Sequence, residues 1–179
     1  MQQETHTHLS FRTGSASHTG RVRATNEDRF VARPDLGLWA VADGMGGHEA
    51  GELASSTLAE ALNSVGPAVS ASDLLARVED RVIRANTALR RESAARGSLI
   101  GSTLAALLVY GSHYACLWSG DSRVYLLRDG DFRQVSRDHS AIQELVDSGA
   151  LTPEQARISP HRNVVTRENR GVSTPRSST

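Results

Sequence analysis

The stretch Val41-Ala-Asp-Gly-Met-Gly-Gly-His48 constrains this chain most. An apolar run, Leu38-Trp-Ala-Val-Ala42, ends on Asp43-Gly44, and further glycines stand at 46 and 47. A segment rich in Ala and Leu follows. A buried strand that ends in this way places a carboxylate on a backbone free to bend, so that its own carbonyls and amides can face a ligand. Asp-Gly is also a common hairpin-turn dipeptide. The octamer alone supports both readings, a turn or a metal site centred on Asp43.

The neighbouring carboxylates favour the metal. A polar, turn-rich segment from Ser15 leads through Asn26-Glu-Asp28 into a short strand, Arg29-Phe-Val-Ala-Arg33. Pro34-Asp35 turns the chain into the strand that ends at Asp43. Glu27 and Asp28 therefore begin one strand and Asp43 ends the next. If the two pair antiparallel, those ends are adjacent and three carboxylates crowd together. Like charges are seldom brought so close without a compensating cation or a raised pKa.

The rest of the chain reads as a framework for that corner. Residues 1–8 are polar and expected to be disordered, while Leu9 and Phe11 alternate with polar neighbours as a short first strand would. Ala50, Leu53, Ala54, Leu58, Ala61 and Leu62 recur at helical spacing over 49–62. Residues 63–71 form a loop. A second helix is expected over 73–96, with Ser72 as N-cap, a stripe of Leu75, Val78, Val82, Ala85 and Leu89, and Gly97 as its stop. Gly101 to Tyr110 reads as one buried strand. It opens a meander of about four antiparallel strands through 113–118, 123–128 and 132–135, with Asp129-Gly130 as a two-residue hairpin turn. Asp121 sits at a strand junction, open to a turn or a site role. Short helices are expected at 141–148 and from Thr152-Pro-Glu-Gln155, and 168–179 has too little apolar content for a core element. Near-continuous apolar content in the first strand of the meander predicts a sheet covered by helices on one side and by a second sheet on the other.

Composition narrows the function. The 179 residues suit one domain or part of a larger one. Lys+Arg and Asp+Glu are both 20, for a formal net charge of zero. That argues against electrostatically driven nucleic-acid or membrane binding as the main activity. The single cysteine, Cys116, lies in an apolar run and reads as a small core residue in a reducing compartment. No apolar stretch approaches a membrane span, and the N-terminus lacks the pattern of a signal peptide, so a cytoplasmic location is expected.

The ordered pieces resemble the metal-dependent protein serine/threonine phosphatases of type 2C (the PPM family) in their bacterial form. The matching stretches are Arg23 with Asn26-Glu-Asp28, Val41 to His48, Gly101-Ser-Thr103, Trp118-Ser-Gly-Asp-Ser-Arg123, Asp138-His139, and Pro160-His161 through Thr166-Arg167. Singly they are weak; in one order and at this spacing they are specific. The resemblance implies an α+β fold, a sandwich of two antiparallel sheets flanked by helices, with two Mn2+ or Mg2+ ions at one end. Hard oxygen donors, with no usable Cys or His cluster, fit those metals independently. On the family pattern Asp43 bridges the two ions and the Gly44 carbonyl binds one. Glu27 and Asp28 hold metal-bound waters or position the site. Arg23 grips the substrate phosphate, and Asp121 belongs to a third, weaker metal. Such ions neutralise a phosphate monoester and acidify a water, so no protein nucleophile is needed. Phosphoprotein substrates and an opposing serine/threonine kinase are the implied partners.

The chain departs from the pattern in two places. Met45 stands where some members have a histidine that can act as general acid. His48, three residues on, is open to an acid role or to packing and capping at a helix start. The family domain also continues for roughly 70 further residues, carrying two aspartates that complete one metal's ligands. The expectation is thus a partial, C-terminally truncated domain over 9–167 with an aberrant tail over 168–179. Three functions follow: a protein phosphatase, a non-catalytic remnant or phosphosite-binding module, and a metal-dependent hydrolase of small phosphoesters. Residues 147–159 fit either a mobile flap near the site or plain surface structure.

Overall fold

The computed structural model describes residues 9–139, Thr152 and 171–173. The helices expected at 141–148 and after Thr152, and the segment 163–167, lie outside these.

β-branched, aromatic and small apolar residues alternate in the first two strands. β1 (Asp28–Arg33) and β2 (Leu38–Met45) pair antiparallel, with Phe30 opposite Val41 and Asp28 opposite Asp43. α1 (His48–Asn63) and α2 (Ala71–Arg96) follow. The chain then returns through β3 (Gly101–Ser102), β4 (Leu104–Tyr110) and β5 (His113–Ser119). A hairpin, β6 (Tyr125–Arg128) and β7 (Asp131–Gln134), is followed by β8 (Gly171–Ser173). The main sheet runs β1-β2-β4-β5-β8, with β3 also paired to β2; β6 and β7 form a second, two-stranded sheet. Every pairing is antiparallel. Antiparallel sheets with helices are the arrangement expected from the sequence; of the expected second sheet, the described residues show the β6-β7 pair.

The period-2 alternation of β2 and β4 decides where the core lies. Leu38, Ala40 and Ala42 of β2 and Leu104, Ala106 and Leu108 of β4 are buried in one cluster with Leu58 and Leu62 of α1 and Leu74, Val78 and Ala85 of α2. Leu38, Leu62, Leu74 and Val78 are the largest fully buried apolar side chains. Each is worth about 1.5–3 kcal/mol of transfer free energy. Trp39, Val41, Leu107 and Val109 alternate with the core residues, and none of the four belongs to that cluster.

Several local expectations are corrected. Leu9 to Phe11 is not a strand. The Phe11 ring meets Trp39 edge-on at 4.8 Å, and Trp39 Nε1 donates to Thr13 Oγ1 at 3.0 Å, so side-chain contacts hold this segment where a ladder was expected. α2 starts earlier, with Ser70 as its cap: Ser70 Oγ accepts from Asp73 N at 3.1 Å, while Ser72 Oγ is engaged with Ser70 Oγ. The Gly101–Tyr110 strand is broken at Thr103, because that residue turns its backbone and hydroxyl to Asp43. The expected four-strand meander divides after β5. There Gly120 has φ 93°, and Val124 N donates to Ser136 Oγ, so the next hairpin stands apart from the main sheet. Asp129 and Gly130 do make its turn, both at positive φ, as a primed turn requires. Gly171–Ser173, inside the stretch expected to fray, pairs with the free edge of β5 and sets Val172 opposite Leu117. An edge strand's unpaired amides and carbonyls are a ready template for this.

Candidate metal and phosphate site

Local sequence fixes the approach to β1. Asn26 Oδ1 accepts from Asp28 N at 2.9 Å, a side-chain turn that redirects the chain just before the strand. Arg29 Nη1 donates to the carbonyls of Asn26 and Asp28, on either side of Glu27, and its Nη2 meets Glu52 of α1 at 2.6 Å. Pairing continues one residue before β1, since Gly44 N donates to Glu27 O at 3.2 Å. Glu27 and Asp28 are thereby carried to the end of β2 that bears Asp43 and Gly44.

Asp43 is held by its backbone. Its N–H donates to Thr103 Oγ1 at 3.0 Å, and its carbonyl accepts from Thr103 N at 2.8 Å and from Ser102 Oγ at 3.1 Å. With the main chain so gripped, the carboxylate is left free for the adjoining cleft. Thr103 Oγ1 also shares a 2.6 Å hydrogen bond with Ser122 Oγ. That bond draws the 119–122 turn, and with it Asp121, toward the end of β2.

The electrostatics of Asp43 report which groups face it. Its carboxyl is pushed above the usual carboxylate range, first by partial burial, then by the charges of Asp28, Asp121 and Glu27; Arg23 pulls the other way. Every charged residue that the sequence reading assigned to the site therefore lies within electrostatic reach of Asp43. Asp28, Asp43, Asp121 and Arg23 are exposed and Glu27 is half-buried. Asp28 and Asp43 line a cleft of about 320 Å3 together with Ser17, His18 and Ser122. The donors are all oxygens, carboxylates plus the Gly44 carbonyl, which suits Mg2+ or Mn2+. Among the described residues no group of three or more His, Cys, Asp and Glu is placed so that it could hold a metal ion. The oxygen chemistry suits a divalent cation, while the spacing of these side chains does not by itself close on one.

The glycines of the octamer answer to packing. A Cβ on Gly44 would overlap the Gly51 carbonyl of α1, so the helix lies directly on the end of β2. Gly46 has φ 132°, and a Cβ there would come within 2.5 Å of the Leu99 carbonyl. Gly47 is the N-cap of α1 and supplies no side-chain hydrogen bond, and His48 is the first helical residue. Thr103 and Ser122 enter the sequence reading only as members of matching stretches and Gly51 not at all, so none of the three carries a role there. The polar pair Ser102-Thr103 interrupting an apolar run was the available signal for the first. Asp138 takes no part in the carboxylate group. It clamps Arg123 through both oxygens, at 2.6 Å from Nη2 and 2.9 Å from Nε, and this holds the Arg123 guanidinium far above its ordinary pKa.

Comparison with known proteins gives the same answer. The family model described as Protein phosphatase 2C matches residues 12–169. This chain belongs to the protein phosphatase 2C family. It is 40% identical over 161 residues to the serine/threonine protein phosphatase PstP of Mycobacterium tuberculosis, covering 89% of this chain and 31% of the relative. A crystal structure of the M. tuberculosis phosphatase PstP/Ppp superposes with a TM-score of 0.80 at 38% identity, covering 89% of this chain and 71% of that one. A crystal structure of the PstP catalytic domain in complex with two manganese ions matches with a TM-score of 0.68 at 41% identity, covering 79% and 61%. The chain thus spans about a third of the length of its curated mycobacterial relative. Among its described residues no helix is long and apolar enough to cross a membrane.

Proposed function

We propose that this protein phosphatase 2C chain hydrolyses phosphoserine and phosphothreonine in proteins with Mn2+ or Mg2+. The observation that carries the reading is the register of β1 against β2. It sets Asp28 opposite Asp43 and brings Glu27 to the same end of the sheet, and the charges of Asp121 and Arg23 also act on the Asp43 carboxyl. In this reading Asp43 and the Gly44 carbonyl would hold the ions, and Glu27 and Asp28 would order the waters around them. Asp121 belongs to a third, weaker site. Divalent ions bound here would neutralise a phosphate monoester and lower the pKa of a water. The chain's own work is to hold the carboxylates rigidly, through the backbone grip on Asp43, and to present the Arg23 guanidinium to the phosphate. No role is assigned to His48.

The PstP neighbour that carries two manganese ions supports the choice of metal. The substrate class rests on the names of the relatives, and a serine/threonine kinase would supply such substrates. A reducing, cytoplasmic setting accords with the single buried Cys116. The expected domain, residues 9–167, belongs to the same proposal.

A second reading is favoured because no three ligating residues among those described are placed to hold an ion: a module that binds phosphosites through Arg23 without turning them over. Mn2+-dependent phosphate release from a phosphothreonine peptide and from p-nitrophenyl phosphate separates the possibilities. Release from the peptide, abolished by Asp43→Ala, supports the phosphatase. Peptide binding without release supports the module, and release from the small ester alone supports a small-phosphoester hydrolase. Activity that survives Asp43→Ala would overturn the metal assignment.

A further inference from the structure

α1 contains a glycine that helix formation does not explain. Gly51 is the fourth residue of the helix and is buried. Glycine inside a helix costs about 0.5–1 kcal/mol relative to alanine. Its backbone is engaged in the ordinary way: Gly51 N donates to Gly47 O at 2.7 Å, and Gly51 O accepts from the Ser55 hydroxyl at 3.2 Å. The reason for glycine lies on the side where a Cβ would be. An added Cβ would overlap the Glu27 carboxylate, lying 2.7 Å from Glu27 Cδ, and would sit 3.1 Å from the Gly44 carbonyl oxygen. A Glu27 carboxylate oxygen and the Gly44 carbonyl therefore converge on the space that Gly51 leaves empty. Arg29 ties the main chain on either side of Glu27 to α1, since it holds the carbonyls of Asn26 and Asp28 and the Glu52 carboxylate beside Gly51.

We propose that Gly51 is a positioning residue for the metal site, its missing side chain being what allows the Glu27 carboxylate to lie beside the Gly44 carbonyl. The proposal rests on the metal reading of Glu27 and Gly44 given above. Glu27 carries a flexible side chain, so a methyl group at position 51 displaces its carboxylate more readily than it disrupts the helix. Gly51→Ala thus separates site geometry from folding. Stability should hold or rise, because alanine is the better helix former, while the oxygen pair is pulled apart.

The test is Mn2+ affinity by isothermal titration calorimetry on the full chain, with the urea midpoint measured beside it. Gly51→Ala is expected to weaken Mn2+ binding about tenfold or more with no fall in the urea midpoint. Glu27→Ala should weaken it comparably. The double variant should lie close to Glu27→Ala, because the overlap is with Glu27 and the 3.1 Å approach to Gly44 O asks only a small shift. Wild-type Mn2+ affinity in Gly51→Ala, or losses that add in the double variant, would overturn the inference. A wild-type chain that binds no Mn2+ would overturn the metal reading itself. The crystal structure of Gly51→Ala then decides the positioning role alone: a Glu27 carboxylate moved away from Gly44 O supports it, and an unmoved one refutes it.

Discussion

At the scale of single residues, Asp43 is the point where fold and chemistry conflict. Its carboxyl is pushed up in the folded chain by partial burial and by three neighbouring carboxylates. Between the ordinary carboxylate pKa and this raised one, the folded state binds more protons than the unfolded state. Stability therefore falls as pH rises through that window, and the penalty persists at neutral pH. Below the ordinary pKa both states are protonated and the penalty vanishes. Asp43→Asn should accordingly raise the metal-free melting temperature at pH 7 by about 1–3 °C, the scale of an exposed charge effect. Its advantage should shrink as pH falls through that window and vanish only below the ordinary carboxylate pKa. Mn2+ reverses the ranking, since a ligand that binds only the folded state stabilises it by mass action. Wild type should gain in melting temperature with Mn2+, and Asp43→Asn should not. Differential scanning fluorimetry over pH, with and without Mn2+, checks both signs.

At the scale of elements, Thr103 joins two structures that the sequence keeps apart. Its hydroxyl accepts from Asp43 N and pairs with Ser122 Oγ, and the residue is buried at 4% exposure. Thr103→Val keeps the volume and leaves the Asp43 amide without its side-chain acceptor, which should cost about 1–3 kcal/mol in urea unfolding. Thr103→Ser should recover most of that, because the hydroxyl is what is used. The same residue marks the limit of what was legible in the sequence. β1, β2 and the Asp129-Gly130 hairpin announce themselves through alternation and turn chemistry, which are local. So does the meeting of Glu27 and Asp28 with Asp43, because one short turn fixes the antiparallel register. The break at Thr103, the parting of β6–β7 from the main sheet and the fit of Gly51 against Glu27 depend on contacts between distant segments. No periodicity within either segment encodes them. The cap of α2 was missed by two positions because Ser70 and Ser72 are equivalent as residue types. Only the hydrogen bond from Asp73 N, and the bond from Val69 N to the Asp73 carboxylate, select Ser70.

At the scale of the whole molecule, the site lies at the end of the sheet while stability resides between sheet and helices. α1 connects the two: its N-terminal turns press on Gly44, and its C-terminal half fills the core with Leu58 and Leu62. That is a division of labour along one helix, in a frame that the solved PstP structures share at 38–41% identity. It has a measurable consequence. Leu62 is fully buried beneath the sheet, one end of α1 away from the carboxylates. Leu62→Ala removes packing without touching an oxygen of the site, and should cost about 2–5 kcal/mol of unfolding free energy, according to how far the cavity collapses. At a temperature where the variant remains folded, its Mn2+ affinity should match wild type within about twofold, because sites this far apart with no shared partner are close to additive. Urea unfolding and calorimetric Mn2+ titration of one preparation check the pair of outcomes. If both stability and affinity fell together, α1 would be transmitting core strain to Gly44, and the site and the core would have to be treated as a single unit.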